Sequence, residues 1–128
     1  MRKLADLFKA LSDETRVTLL ALLMKHGELC VCDLVETLGI TQSKASRHLR
    51  YLAHAGLVRD RRVAVWVHYR IEPEPAPEPA AVLQAIRPLL FARDLATLDA
   101  RLQAWARAKA LAGSGCRADA AAPGEGPA

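Results

Sequence analysis

Leu4, Leu7, Phe8 and Leu11 recur at i, i+3, i+4 and i+7, a spacing that predicts one apolar stripe along a short helix. Ser12 reads as the N-cap of a second helix, with Asp13 and Glu14 in its electropositive first turn. Val17, Leu20 and Met24 give that helix a buried face, widened by Leu19 and Leu23, and Gly27 stops it. A third, shorter helix is expected from Val31 to Leu38, closed by Gly39. Thr41 caps a fourth, which runs to about Ala55 and ends at Gly56. Two helices joined by Gly-Ile-Thr have the form of a helix-turn-helix.

From Leu57 the period changes to two. Val65, Val67, Tyr69 and Ile71 alternate with Trp66, His68 and Arg70, the pattern of a half-buried strand, and Leu57 to Arg61 is its expected hairpin partner. Helices, a helix-turn-helix and then a hairpin make a winged helix-turn-helix over residues 1–72, mostly α with a small β component. Glu72 to Pro79 (EPEPAPEP) reads as a stiff extended connector, residues 73–79, because proline withholds backbone donors. Beyond it, over residues 80–112, Val82, Leu83, Ile86 and Leu90 mark one helical stripe, and Leu95, Leu98, Leu102 and Trp105 another. Pro88 predicts a kink or a division into two helices. Such stripes need cover. The expected cover is a second copy of the chain in a two-fold dimer; the other is the chain's own domain. Residues 113–128, small and rich in Gly, Ala and Pro, read as a disordered tail.

The chain has 128 residues, 52% hydrophobic and 25% charged, within the range of one globular domain. Its net charge of +4 matters less than where that charge lies. Between Thr41 and Arg70 stand seven basic residues (Lys44, Arg47, Arg50, Arg59, Arg61, Arg62, Arg70) against Asp60 alone, so this segment is more basic than the whole chain. A basic patch on a helix-turn-helix is the electrostatic footprint of a nucleic-acid partner.

Turning the fourth helix by about 100° per residue places Ala45, Leu49, Leu52 and Ala53 on one arc, toward the core. The opposite arc carries Ser43, Arg47, Arg50 and His54, flanked by Lys44 and Ser46. Hydroxyls, an amide and guanidinium groups on one helix face suit base edges and phosphates in a major groove. Gln42, Ser43, Ser46 and Arg47 are the expected base readers, and Lys44, His48 and Arg50 the expected backbone contacts. Arg61 and Arg62, expected at the hairpin tip, would add minor-groove or phosphate contacts.

Three cysteines, an odd number, do not make a disulfide framework, and no apolar run long enough to export or anchor the chain follows Arg2 and Lys3. The expectation is a reducing cytoplasm and no membrane. Cys30 and Cys32 stand where the third helix begins, in Glu28-Leu-Cys-Val-Cys-Asp33. Thiolates are favoured at a helix N-terminus, and soft thiolates select soft ions. On a regular helix positions i and i+2 point about 200° apart. Capture of one ion by both sulfurs is therefore expected to unwind the first turn, disturb the neighbouring fourth helix and oppose DNA binding.

Four segments in this order, Leu11-Ser-Asp-Glu-Thr-Arg16, Glu28-Leu-Cys-Val-Cys-Asp-Leu34, Ser46-Arg-His-Leu49 and Trp66-Val-His-Tyr-Arg70, resemble the ArsR family of metalloregulatory repressors, closest to its arsenical-responsive members. The resemblance runs from about Leu4 to Ile71. It implies a homodimer that binds operator DNA, represses a resistance operon and lets go when arsenite or antimonite binds, with Cys30 and Cys32 as the first two sulfurs. Family sensors with a third cysteine carry it three places on, where this chain has Val35, so Cys116 is the candidate third ligand. The family's cadmium- and lead-responsive members share Cys-Val-Cys but draw cysteines from an N-terminal extension; no cysteine precedes Cys30 here. Arg62-Val-Ala-Val65 also lacks the family's usual wing glycine, which leaves its turn type open. No phosphate loop, catalytic triad or paired acids are present, and His48, His54 and His68 read as ordinary side chains, so no enzyme is expected. A thiol-redox repressor and a protein-interaction module using the C-terminal helices are the competing readings.

Overall fold

The computed structural model describes residues 1–113. The rest of the expected tail, with Cys116, lies outside the described residues. The chain runs α1 (Arg2–Ala10), α2 (Glu14–His26), β1 (Leu29–Cys30), α3 (Val31–Leu38), α4 (Gln42–His54), β2 (Val58–Val63), β3 (Trp66–Ile71), α5 (Pro77–Phe91) and α6 (Ala96–Ala112). This is the expected winged helix-turn-helix, with two helices added after the wing.

Most boundaries follow from caps. Thr41 Oγ1 accepts from Lys44 N–H at 3.1 Å, and Gly39 closes α3 with a left-handed φ of 67°. At α2 the cap is Asp13 rather than Ser12: Asp13 Oδ1 accepts from Arg16 N–H at 3.0 Å. Ser12 Oγ instead donates back to Lys9 O at 2.7 Å, finishing α1.

The central helix is α2, whose run Leu19 to Leu23 is buried on all sides. It packs against α4, α5 and β3, and the core closes over it with Leu7, Leu34, Leu49, Leu52 and Leu57. Each such leucine contributes about 2 kcal/mol by leaving water. Phe8, expected in the α1 stripe, is 61% exposed; only Leu7 of that stripe is fully buried.

The sheet has the order β1-β3-β2, all antiparallel, with Cys30 opposite His68 and Val58 through Val63 opposite Ile71 through Trp66. Because β1 pairs on its far side, β3 is the middle strand and two adjacent residues, His68 and Tyr69, are both buried. The half-buried alternation expected of this strand therefore fails there. The wing turns at Ala64-Val65, and Ala64 has a φ of 55°. A positive φ at the first of two central residues is the pattern of a type II′ hairpin, held here at a cost of about 1 kcal/mol without glycine.

Three expectations about the C-terminal half are corrected. Residues 77–79 are not connector but the first turn of α5, where proline loses nothing because those N–H groups have no helical partner. The two helices part at Ala92–Leu95, with Asp94 accepting from Ala96 N–H, and not at Pro88, which lies inside α5. Nor do the stripes wait for a second copy. Leu83, Leu90 and Leu102 are buried in the chain's own core, α5 packing on α1 and α2 and α6 on α3.

Candidate DNA interface and thiol site

The α4 helix is positioned by its inner arc. Ala45, Leu49 and Leu52 are fully buried, which turns Gln42, Ser43, Lys44, Arg47 and Arg50 outward and leaves Ser46 half-buried. This is the arrangement expected of the fourth helix, with one exception. His48 is half-buried, its Nδ1 3.2 Å from Arg16 Nη1, and burial pushes its pKa below the ordinary histidine value. It faces α2, not the outer surface.

The wing basic residues divide. Arg62 is exposed, one pair back from the turn. Arg61 is not at the tip: it lies opposite His68, and its Nε and Nη2 donate to the two oxygens of Glu28 at 3.1 and 2.6 Å. That fork holds the Glu28 carboxyl below its usual pKa. Arg61 thus braces the wing against the residue preceding β1, whereas Arg62 is available to a ligand. The buried His68 stands beside this pair, with no hydrogen-bond partner for either ring nitrogen among the described residues; burial holds its pKa low.

The thiol pair departs from the helical geometry expected of it. Cys30 is the N-cap of α3, with an extended backbone (φ −72°, ψ 151°), and it also ends β1. The rotation of 200° applies only within a helix, so the sulfurs are not held apart: Cys30 Sγ and Cys32 Sγ lie 3.0 Å from each other. Two sulfur–ion bonds of about 2.3 Å meeting near a right angle hold their sulfurs about 3.3 Å apart. The observed separation is close to that value, so bringing the two sulfurs together does not require α3 to unwind. Burial pushes the Cys30 thiol pKa up, while N–H groups of Cys32 and Asp33 in the first turn of α3 favour its thiolate.

Both cysteines open into one cleft of about 330 Å³. Its other walls include Gln42, Ser46 and Arg50 of α4 and Arg62 and Trp66 of the wing. Sequence reasoning found every one of these except Trp66, but not that they share a cavity. It also missed Arg16, Glu28 and the groups around Asp33: Trp105 Nε1 donates to Asp33 Oδ1 at 2.9 Å, and Lys109 forms an ion pair with the same atom. A signal existed for Lys109, which continues the Leu98, Leu102, Trp105 stripe at helical spacing and so belongs to a buried face. Among the described residues no three His, Cys, Asp or Glu cluster as a ready metal site.

Residues 13–60 match the family described as bacterial regulatory protein, arsR family. The chain is 54% identical over 68 residues to the arsenical resistance operon repressor of Escherichia coli (strain K12), covering 53% of this chain and 58% of that protein. It thus spans little more than half the length of that relative. To the arsenical resistance operon repressor of Bacillus subtilis (strain 168) it is 39% identical over 74 residues, covering 58% of this chain and 70% of the other. Among solved structures it is similar to the AntR antimony-specific transcriptional repressor, with a TM-score of 0.53, 34% identity and coverage of 67% and 75%. It is also similar to the homodimeric winged helix-turn-helix domain Mb0332 of Mycobacterium bovis, with a TM-score of 0.58, 28% identity and coverage of 69% and 78%.

Proposed function

The chain belongs to the arsR family of bacterial regulatory proteins, and we propose that within it this protein is a homodimeric repressor that leaves its operator when trivalent arsenic or antimony is captured by Cys30 and Cys32. The observation that carries this reading is the pair of sulfurs 3.0 Å apart on the wall of a cleft whose facing walls are α4 and the wing. An ion seated there stands between α3 and the two elements that meet DNA. In a dimer both copies of α4 must keep a half-site spacing near one turn of duplex, so a small shift of α4 against α3 opposes binding. A coupling of about 1–3 kcal/mol suffices for release.

Operator contact falls to Gln42, Ser43, Ser46 and Arg47 at base edges, and to Lys44, Arg50 and Arg62 at phosphates. The dimer contact is assigned to α1 and α5, which pack together and leave Phe8 61%, Leu89 64% and Phe91 51% exposed. Apolar rings at that exposure favour a covering surface. Cys116 is the third sulfur of the proposed site. No helix among the described residues is long and apolar enough to cross a membrane, and thiols that must stay reduced suit the cytoplasm.

The test is release of a fluorescent operator duplex by arsenite, antimonite, cadmium and lead. Cys30→Ser and Cys32→Ser are expected to bind operator as the wild type does and to ignore arsenite and antimonite. A variant released like the wild type would move the effector site elsewhere. Release by cadmium and lead alone would change the ion and keep the thiols.

A further inference from the structure

Three groups converge on the carboxylate of Asp33, which is buried at the third position of α3. Cys30 N–H donates to Oδ2 at 2.8 Å, Trp105 Nε1 donates to Oδ1 at 2.9 Å, and the Lys109 ammonium pairs with Oδ1. Lys109 is 3% exposed, and a buried ammonium is so costly to desolvate that it persists only beside a carboxylate whose remaining lone pairs are met by other donors. Trp105 and Lys109 stand one turn apart on α6, and Trp105 also lines the cysteine cleft. Elsewhere along α6, Arg101 Nη1 reaches Thr37 O at 3.5 Å, and Asp99 pairs with Lys25 and with His26, the latter at 2.7 Å. The helix is therefore tied to α2 near its start and to α3 along the rest of its length. It lies wholly outside residues 13–60, the part that matches the family.

We propose that α6 is a latch on the thiol site. Lys109 and Trp105 are positioning residues: they hold the Asp33 carboxylate, Asp33 holds the backbone of Cys30, and that backbone sets the distance between the two sulfurs. This rests on the reading of Cys30 and Cys32 as the effector thiols. With the latch open, the Cys30 N–H loses its acceptor, the start of α3 frays and the sulfurs separate. Effector affinity thus depends on a helix that packs chiefly on α3.

The experiment uses the full chain as wild type, Trp105→Phe and Lys109→Met. Arsenite affinity is read from sulfur-to-arsenic absorbance, operator affinity from anisotropy without arsenite, and the rate of Cys30 alkylation by iodoacetamide from mass spectrometry. Arsenite affinity is expected to fall at least threefold in Trp105→Phe and at least tenfold in Lys109→Met, while operator affinity stays within twofold. Unchanged arsenite affinity in folded variants overturns the latch. An equal fall in both affinities does so too, since that is general loosening of the domain. Should Lys109→Met not fold, Trp105→Phe, which removes one donor and little volume, decides alone. If the wild type takes up no arsenite, the effector reading fails by itself and alkylation decides the latch. Cys30 modified at least threefold faster in Trp105→Phe upholds it, and equal rates sink it.

Discussion

Arg16 Nη1 stands 3.2 Å from His48 Nδ1, so the first turn of α2 is joined to the middle of α4. The same guanidinium donates from Nε to Ala10 O at 2.9 Å and from Nη2 to Lys9 O at 3.0 Å, and lies 4.1 Å from the centre of the Tyr51 ring. One side chain therefore ties the end of α1, the start of α2 and the back of α4. Charge-assisted bonds to carbonyls that end a helix contribute more than neutral ones. Arg16→Ala is expected to lower stability by about 2 kcal/mol in urea unfolding. Arg16→Lys should recover less than half of that, because an ammonium cannot occupy the fork or stack on Tyr51.

Among the basic residues, Arg47 and Arg61 should separate cleanly. Arg47 is exposed on the outer face of α4, so Arg47→Ala should weaken operator binding at least tenfold and relax discrimination at the base it reads. Its unfolding free energy should move by no more than about 0.5 kcal/mol. Arg61→Ala should do the reverse. It frees Glu28 and costs stability of up to about 1 kcal/mol, while operator affinity changes less than in Arg62→Ala. Anisotropy across a salt series, beside urea melts, checks both.

The Asp99 carboxyl is held below its usual pKa first by the bond from Lys25 and then by His26. A carboxyl whose folded pKa is depressed stabilises the fold fully above its unfolded pKa, and the contribution is lost as pH falls through the folded value. Asp99→Asn should therefore melt below the wild type at pH 7. The gap should begin to close as pH falls past about 4, the unfolded range of aspartate, and vanish in stronger acid. A gap that held constant down to pH 2 would mean the pair contributes nothing through charge.

Cys116→Ser tests the composition of the proposed ion site. Operator affinity should be unchanged and arsenite affinity should fall at least tenfold. Arsenic X-ray absorption should then count two sulfur neighbours in the variant against three in the wild type. An identical spectrum would remove Cys116 from the site.

What was legible in the sequence is what neighbours along the chain decide. Caps, glycine stops and helical spacing involve residues three or four apart, so Val31–Leu38 and the Thr41-capped α4 could be read directly, as could the cysteines and the basic face of α4. Contacts between distant segments left no such mark. The two-residue β1 has no period of its own, yet it makes β3 the central strand, buries His68 and gives Cys30 an extended backbone, to which the helical rotation between i and i+2 does not apply. The fold-back of α6 turned an apparent dimer stripe into a brace for Asp33. An amphipathic face states that it must be covered, not by what; that choice belongs to packing, since any apolar surface removes it from water equally well. Local chemistry named the thiols, and tertiary pairing decided that they meet.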